Sequence, residues 1–156
     1  MRLLYTKPKL KNMSQGSRIV FARQFRLIIQ DNVYDKLGLT GECKRRTMTR
    51  YEKCNRTPKE DRLLELANIL KVNPKIIKEY HFQNQENLIY MLLWMEEKYS
   101  RMIIDFNILE YLQQENKLLL NFMEEWNDMR RKRLSNEITY EEYIEWKFQY
   151  EVKKGR

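Results

Sequence analysis

The tetrapeptide Thr57-Pro58-Lys59-Glu60, followed by Leu63, Leu66, Ala67 and Leu70, constrains this chain more than any other stretch. The Thr57 hydroxyl can accept from free amides, Pro58 suits the first helical position and Glu60 closes a capping box. The four apolar residues then recur three and four apart, which places them on one face of a helix. Asn73-Pro74 opens a further helix in the same way, carrying Ile76, Ile77 and Tyr80. Thr139 with Glu142 forms a second capping box, ahead of Tyr140, Tyr143, Ile144, Trp146, Phe148 and Tyr150. Only 4 glycines and 3 prolines among 156 residues leave little material for the turns of a many-stranded sheet. The expected fold class is all-α.

Three segments are expected from the rest of the pattern. Residues 1–16 are basic and polar, with Pro8 and a Ser14-Gln15-Gly16 step, and read as a flexible arm. Residues 17–83 form a helical domain. Its first helix carries Ile19, Val20, Phe21, Phe25 and Ile28, with Arg18, Arg23 and Arg26 around that core face. A short helix NVYDKLG follows, with Gly38 as its C-cap. In LTGECKRRTMTRYEK, Met48 and Tyr51 are three apart and share a buried face, which leaves the basic and hydroxyl residues outside. Residues 84–156 form a helical bundle. The run LIYMLLWM at 88–95 is apolar on every face and is expected to be buried, and a long helix is expected over 107–134. The stripe of that helix is Leu112, Leu119, Phe122, Trp126 and Met129, and it closes on Arg130-Arg131-Lys132-Arg133.

Charge is unevenly divided between the halves. Residues 1–80 hold 19 Lys and Arg against 8 Asp and Glu, a balance of +11, and residues 81–156 hold 11 against 14, a balance of −3. Positive charge gathered in one half is the electrostatic footprint of a nucleic-acid binder, although a solvated basic face gives the same count.

Several classes are excluded at this level. No apolar run approaches the roughly 18 residues of a membrane span, and the basic N-terminus lacks the apolar core of a secretory signal. Cys43, Cys54 and the single His81 have no metal-ligand spacing, so free thiols in a reducing cytoplasm are expected, with no metal and no cofactor. There is no glycine-rich phosphate loop and no Gly-x-Ser-x-Gly elbow, and Glu124-Glu125 and Glu141-Glu142 read as solvated helix faces. An enzyme is not expected. Trp94, Trp126, Tyr143, Trp146 and Tyr150 fit a core; any left exposed fits a protein interface or base stacking.

Residues 50–72, RYEKCNRTPKEDRLLELANILKV, resemble the second half of the Xre-type (phage-repressor-like) helix-turn-helix domain. Tyr51, Glu52, Arg56, Pro58, Leu63, Leu66, Ala67, Leu70 and Val72 fall on its pattern of a recognition helix, a tight turn and a following helix. KLGLTGECKRRTMTRYE is similar to a subfamily carried by plasmids and conjugative elements of Gram-positive bacteria, with a lengthened turn before the recognition helix. LIYMLLWMEEKYS and EITYEEYIEWKFQY are similar to the C-terminal region of that subfamily. The chain departs from the pattern in two places. The span from Phe21 to Gly38 reads several residues short and lacks the usual Thr-Gln start of the second helix. Cys54 stands where relatives often carry glycine, with Asn55 beside it able to take the left-handed conformation instead.

The resemblance implies an N-terminal helix-turn-helix domain followed by the C-terminal bundle, binding double-stranded DNA. Lys44, Arg45 and Arg46 would serve guanine edges or phosphates, and Thr47 and Thr49 would hydrogen-bond bases or meet a thymine methyl. Arg50, Lys53 and Arg56 would serve phosphates, with pairing to Glu52 as the other role for Arg56. Leu119, Phe122, Trp126, Met129, Tyr143 and Trp146 are expected to form a dimer or partner interface. The implied protein is a cytoplasmic transcriptional regulator of a phage or mobile element, acting as a homodimer. The alternative is a mobile-element inhibitor of host defence, an anti-CRISPR protein, using the same basic face against a nuclease or its guide-RNA complex.

Overall fold

The computed structural model describes residues 7–41, 43–81, 84–99 and 117–153, except for the side chains of residues 43 and 44. All regular structure among the described residues is helical: α1 (Gln15–Phe25), α2 (Gln30–Lys36), α3 (Cys43–Glu52), α4 (Glu60–Leu70), α5 (Pro74–Ile77), α6 (Gln85–Lys98), α7 (Lys117–Leu134) and α8 (Tyr140–Gln149). No helix among the described residues is long and apolar enough to cross a membrane. The chain divides into two compact units, Met1–Glu79 and Tyr80–Arg156. The expected domain boundary at residue 83 lies four residues beyond the first unit.

In the N-terminal unit α1 packs on α3 and α5, α2 on α3 and α4, and α4 on α5. Ile19, Phe21, Ala22, Val33, Tyr34, Met48, Tyr51, Leu66, Leu70 and Ile76 are among its buried core residues. Met48 and Tyr51 are buried as their spacing requires. The described part of the expected arm is packed: Pro8 and Leu10 are buried, Ser14 caps α1 by accepting from the Ser17 amide, and Gly16 lies within the helix. A basic, polar composition does not exclude packing when two apolar side chains find a core.

Helix ends explain three more departures. α2 closes on Leu37 with Gly38 at φ +62°, and the amides of Gly38 and Leu39 donate to the carbonyls of Asp35 and Tyr34. This is the paired-bond glycine ending expected there. α3 closes with the same two bonds, from Cys54 to the Tyr51 carbonyl and from Asn55 to that of Arg50. Cys54 itself takes φ +59°, so the left-handed residue is Cys54 and not Asn55. The capping box at Thr57–Glu60 does not form: Lys59 is the N-cap, without a side-chain bond. Pro58 is buried ahead of the helix, and Glu60 and Asp61 in the first turn supply negative charge to the helix dipole instead. The Asn73 cap does form, accepting from the Lys75 amide, but α5 ends at Ile77, short of Tyr80.

In the C-terminal unit α6 packs on α7 and α7 on α8. Thr139 and Glu142 form the expected capping box at the start of α8. The apolar run in α6 is buried on one side only, at Ile89, Tyr90, Leu93 and Trp94; Leu88, Met91, Leu92 and Met95 are half-buried. The long helix is described from Lys117, and its expected part over 107–116, with Leu112, lies outside the described residues. Phe122, Trp126 and Tyr143, expected at an interface, are core residues: the Trp126 indole is fully buried and stacks on Phe122 at 5.2 Å between centroids. Large aromatics at helical spacing find partners inside their own unit first. Leu119, Met129 and Trp146 are half-buried.

A buried polar cluster ties the C-terminal unit together. Lys147, 4% exposed, places its ammonium 2.5 Å from Glu96 Oε2 and 2.6 Å from Glu97 Oε1. The Tyr143 hydroxyl donates to Glu96 at 2.7 Å, Trp126 Nε1 donates to the Tyr143 oxygen at 2.9 Å, and Arg130 pairs with Glu96 at 3.0 Å. Burial pushes the Glu96 carboxyl up, but Lys147, Tyr143 and Arg130 together outweigh it and hold the folded value below the ordinary 4.5. Burial, then the Glu96 charge, pushes the Tyr143 phenol well above its ordinary 10.0. The Glu96 contribution to stability is therefore present above pH 4.5 and lost as pH falls through the folded value. The Tyr143 contribution is present below pH 10.0 and lost as pH rises toward its folded value. The urea midpoint followed by tryptophan fluorescence should be flat between these limits and fall on both sides. A midpoint that keeps rising below pH 4.5 would contradict the cluster.

Candidate nucleic-acid interface

The geometry of the basic segment begins with what it buries. Met48 is fully buried and Tyr51 is 5% exposed, so the inner face of α3 is fixed by these two residues. At 100° per residue the opposite face carries Arg46, Thr49 and Arg50, and Lys53, the first residue past the helix, continues their spacing at i+7, its amide still donating to the Thr49 carbonyl. Arg46, Arg50 and Lys53 are exposed and Thr49 is half-buried. Arg56, exposed, follows in the turn after α3. Among the described residues none bonds or pairs with the side chains of Arg46, Thr49, Arg50, Lys53 or Arg56. Among the described residues the outer face of α3 is therefore a stripe of unneutralised cations with one hydroxyl among them.

The other predicted residues stand elsewhere. Arg45 lies on the flank of the stripe, where Nη2 pairs with Asp31 Oδ2 at 3.0 Å and the side chain bonds to Tyr34. Thr47 lies on the opposite flank and is half-buried. Lys44 falls within α3, but its side chain lies outside the described residues. Arg56 does not pair with Glu52, because that carboxylate is already taken.

Glu52 is held by Arg23 from α1, with Nε to Oε1 at 2.6 Å and Nη2 to Oε2 at 3.2 Å, and by Gln30 Nε2 at 3.2 Å from the first residue of α2. Arg23 also donates to the Ile28 carbonyl at 3.0 Å, which fixes the α1–α2 turn. One carboxylate thus joins the ends of three helices and sets the direction of α3. The two side chains of the ion pair are only 15% and 11% exposed, so the clamp is shielded from salt. Gln30 begins α2, and the span read as short accommodates both helices through the turn at residues 26–29, where exposed Leu27 takes φ +54°.

Arg18 and Arg26, expected around the surface of α1, likewise point inward. Arg18, 2% exposed, donates to the carbonyls of Ile76 and Lys78 at 3.0 and 2.9 Å. Arg26 donates to the carbonyls of Leu70 and Lys71 at the end of α4, at 2.9 and 2.7 Å. Cations at helix C-termini satisfy orphan carbonyls and complement the dipole. Arg18, Arg23 and Arg26 are therefore internal ties, and the exposed cations of α3 and the turn after it stand beside others at Lys7, Lys9, Lys11, Lys36, Lys59, Lys71 and Lys78.

Among the described residues no exposed aromatic lies on α3 or in the turn after it, and Tyr34 and Tyr51 are buried. The surface offers charge and hydroxyl chemistry rather than a stacking platform. Compared with known proteins, the chain matches no family model, no curated protein and no solved structure.

Proposed function

We propose that this protein is a sequence-specific, duplex-DNA-binding transcriptional regulator of a phage or mobile element, with α2 and α3 as its helix-turn-helix. The observation that carries the reading is the outward stripe Arg46, Thr49, Arg50 and Lys53 on a helix whose inner face is locked by Met48 and Tyr51. A helix of this kind suits the major groove, where arginine reads guanine edges and a threonine reads a base edge or a methyl. Arg50, Lys53 and Arg56 would hold the flanking phosphates. Single-stranded nucleic acid is the poorer fit, because its binders stack bases on exposed aromatics. The mobile-element assignment rests on the sequence resemblance.

Fluorescence anisotropy with a labelled duplex tests the reading. With three phosphate-holding cations displacing counterions, affinity should fall about fortyfold between about 50 and 200 mM salt, at a log–log slope of about −0.9 per phosphate contact. Arg50→Ala and Lys53→Ala should each make that slope shallower by about 0.9 without changing helix content. A duplex affinity that is flat with salt, or absent at about 50 mM, rejects the regulator and leaves the defence-inhibitor reading.

A further inference from the structure

The Asp31–Arg45 pair stands beside the α3 stripe but is not part of it. Arg45 precedes Arg46 and is one turn before Thr49, so its carboxylate partner lies on the flank of the surface proposed to meet DNA. Asp31 occupies the first turn of α2, where a negative charge is favoured by the helix dipole. The two side chains are 42% and 70% exposed, so the pair is open to solvent and Arg45 can exchange partners at little cost. The Arg23–Glu52 pair is the contrast: shielded, clamped by Gln30 and structural.

We propose that Asp31 is a built-in competitor of the duplex, holding Arg45 away from phosphate and thereby limiting binding to DNA of arbitrary sequence. This inference rests on the duplex-binding reading above. A phosphate backbone approaching Arg46, Arg50 and Lys53 meets a carboxylate within one Debye length, and gains Arg45 only by displacing it. Every duplex bears that opposition equally, so the pair lowers affinity for any sequence and leaves the ratio between sequences to the base-edge contacts. Binding to arbitrary DNA, which has no such contacts to offset the loss, is held weakest.

The test is a salt titration of four full-length variants on a duplex of random sequence, beside the wild type. Asp31→Asn keeps the shape of the side chain and removes the charge that holds Arg45, leaving it only the neutral Tyr34 as a partner. It should raise affinity about tenfold and steepen the log–log slope by about 0.9, one added phosphate contact. Glu65→Gln makes the same charge change and breaks a comparable exposed pair, Arg62–Glu65 on α4. It should change affinity less than about twofold and leave the slope unchanged, since exposed charges far from the contact are screened. Asp31→Asn combined with Arg45→Ala should lose the steeper slope and most of the gain, keeping only the small part due to the removed repulsion. Arg45→Ala alone should keep the wild-type slope, because Asp31 already withholds that cation, and should bind no tighter than the wild type, since the carboxylate is then unpaired.

The inference is overturned if Asp31→Asn binds no tighter than Glu65→Gln, or if its full gain and steeper slope persist without Arg45. It is also overturned if Arg45→Ala alone makes the slope shallower by about 0.9, which would place Arg45 on a phosphate already. That last arm decides the matter even if Asp31→Asn is poorly folded. A wild type with no salt-dependent duplex affinity removes the duplex reading and the inference together; a wild type that binds while Asp31→Asn gains nothing removes the inference alone.

Discussion

Lys147→Ala is expected to destabilise the C-terminal unit by about 3–5 kcal/mol, the loss typical when one partner of a buried ion pair is removed. The ammonium is held between Glu96 and Glu97 and also donates to the Leu93 carbonyl at 3.3 Å. Without it two neighbouring carboxylates face a buried region, with Arg130 holding only Glu96 and the Tyr140 hydroxyl, at 3.1 Å, holding only Glu97. For a domain of this size each kcal/mol corresponds to roughly 4–8 °C in melting temperature, so a marginal unit would be largely unfolded at 37 °C. The full-length chain is a suitable specimen, because Trp94, Trp126 and Trp146 all lie in this unit and tryptophan fluorescence follows it alone. Lys147→Met separates charge from packing by keeping an apolar stem. If the charge is what matters, both variants lose about the same stability. A loss below about 1 kcal/mol in both would mean that water already compensates the carboxylates.

That cluster marks where the sequence was hard to read. Lys147 sits at the position that periodicity assigns to the core of α8, between Tyr143–Ile144 and Phe148, but lysine is normally solvated and its place in the pattern carried no weight. Glu96 and Glu97 end an apolar run and read as the polar close of a helix, yet both carboxylates turn inward. The arginines of α1 posed the same difficulty. Their long stems carry the guanidinium to carbonyls far along the chain, such as Ile76 and Leu70, and residue type at a surface-like position does not reveal that reach. Local rules fared better. Gly38, the Asn73 cap, the Thr139–Glu142 box and the buried pair Met48 and Tyr51 each depend on neighbours within one helical turn. The cation stripe was legible for the same reason: once Met48 and Tyr51 define the inner face, helix geometry alone assigns Arg46, Arg50 and Lys53 to the outer one. The place of Arg45 was not, because it depends on Asp31, fourteen residues away on another helix. Phe122, Trp126 and Tyr143, expected at an interface, lie in the core while Trp146 is half-buried, since composition cannot tell whether a large ring will be covered by its own chain or by a partner.

Gly16→Ala is expected to destabilise the N-terminal unit by about 3 kcal/mol, the upper range for overpacking, although Ala for Gly within a helix ordinarily adds up to about 1 kcal/mol. The sign is reversed by what lies opposite. A Cβ at Gly16 would fall closest to the Glu52 carbonyl oxygen and 2.6 Å from that of Tyr51, both backbone atoms at the end of α3. No rotamer change can relieve such a contact, so α1 or α3 must move. Two ties resist the movement: the Gly16 amide donates to Cys54 Sγ at 3.2 Å, and Arg23 grips Glu52 from the same helix. Whichever helix yields, the direction of α3 changes, and duplex affinity should fall about tenfold or more, since a docking surface misplaced by about 1 Å loses that much or more. Thermal melting of the full-length variant should show an earlier loss of far-ultraviolet circular dichroism with no shift in the tryptophan transition, because the N-terminal unit contains no tryptophan. Gly38→Ala supplies the comparison. Nothing lies within 4 Å of its Cβ, so its cost is confined to the left-handed backbone at φ +62°, about 1–2 kcal/mol. Should Gly16→Ala instead melt later than the wild type and bind duplex unchanged, α1 does not approach α3 as closely as this packing requires, and the clamp on Glu52 no longer accounts for the orientation of the stripe.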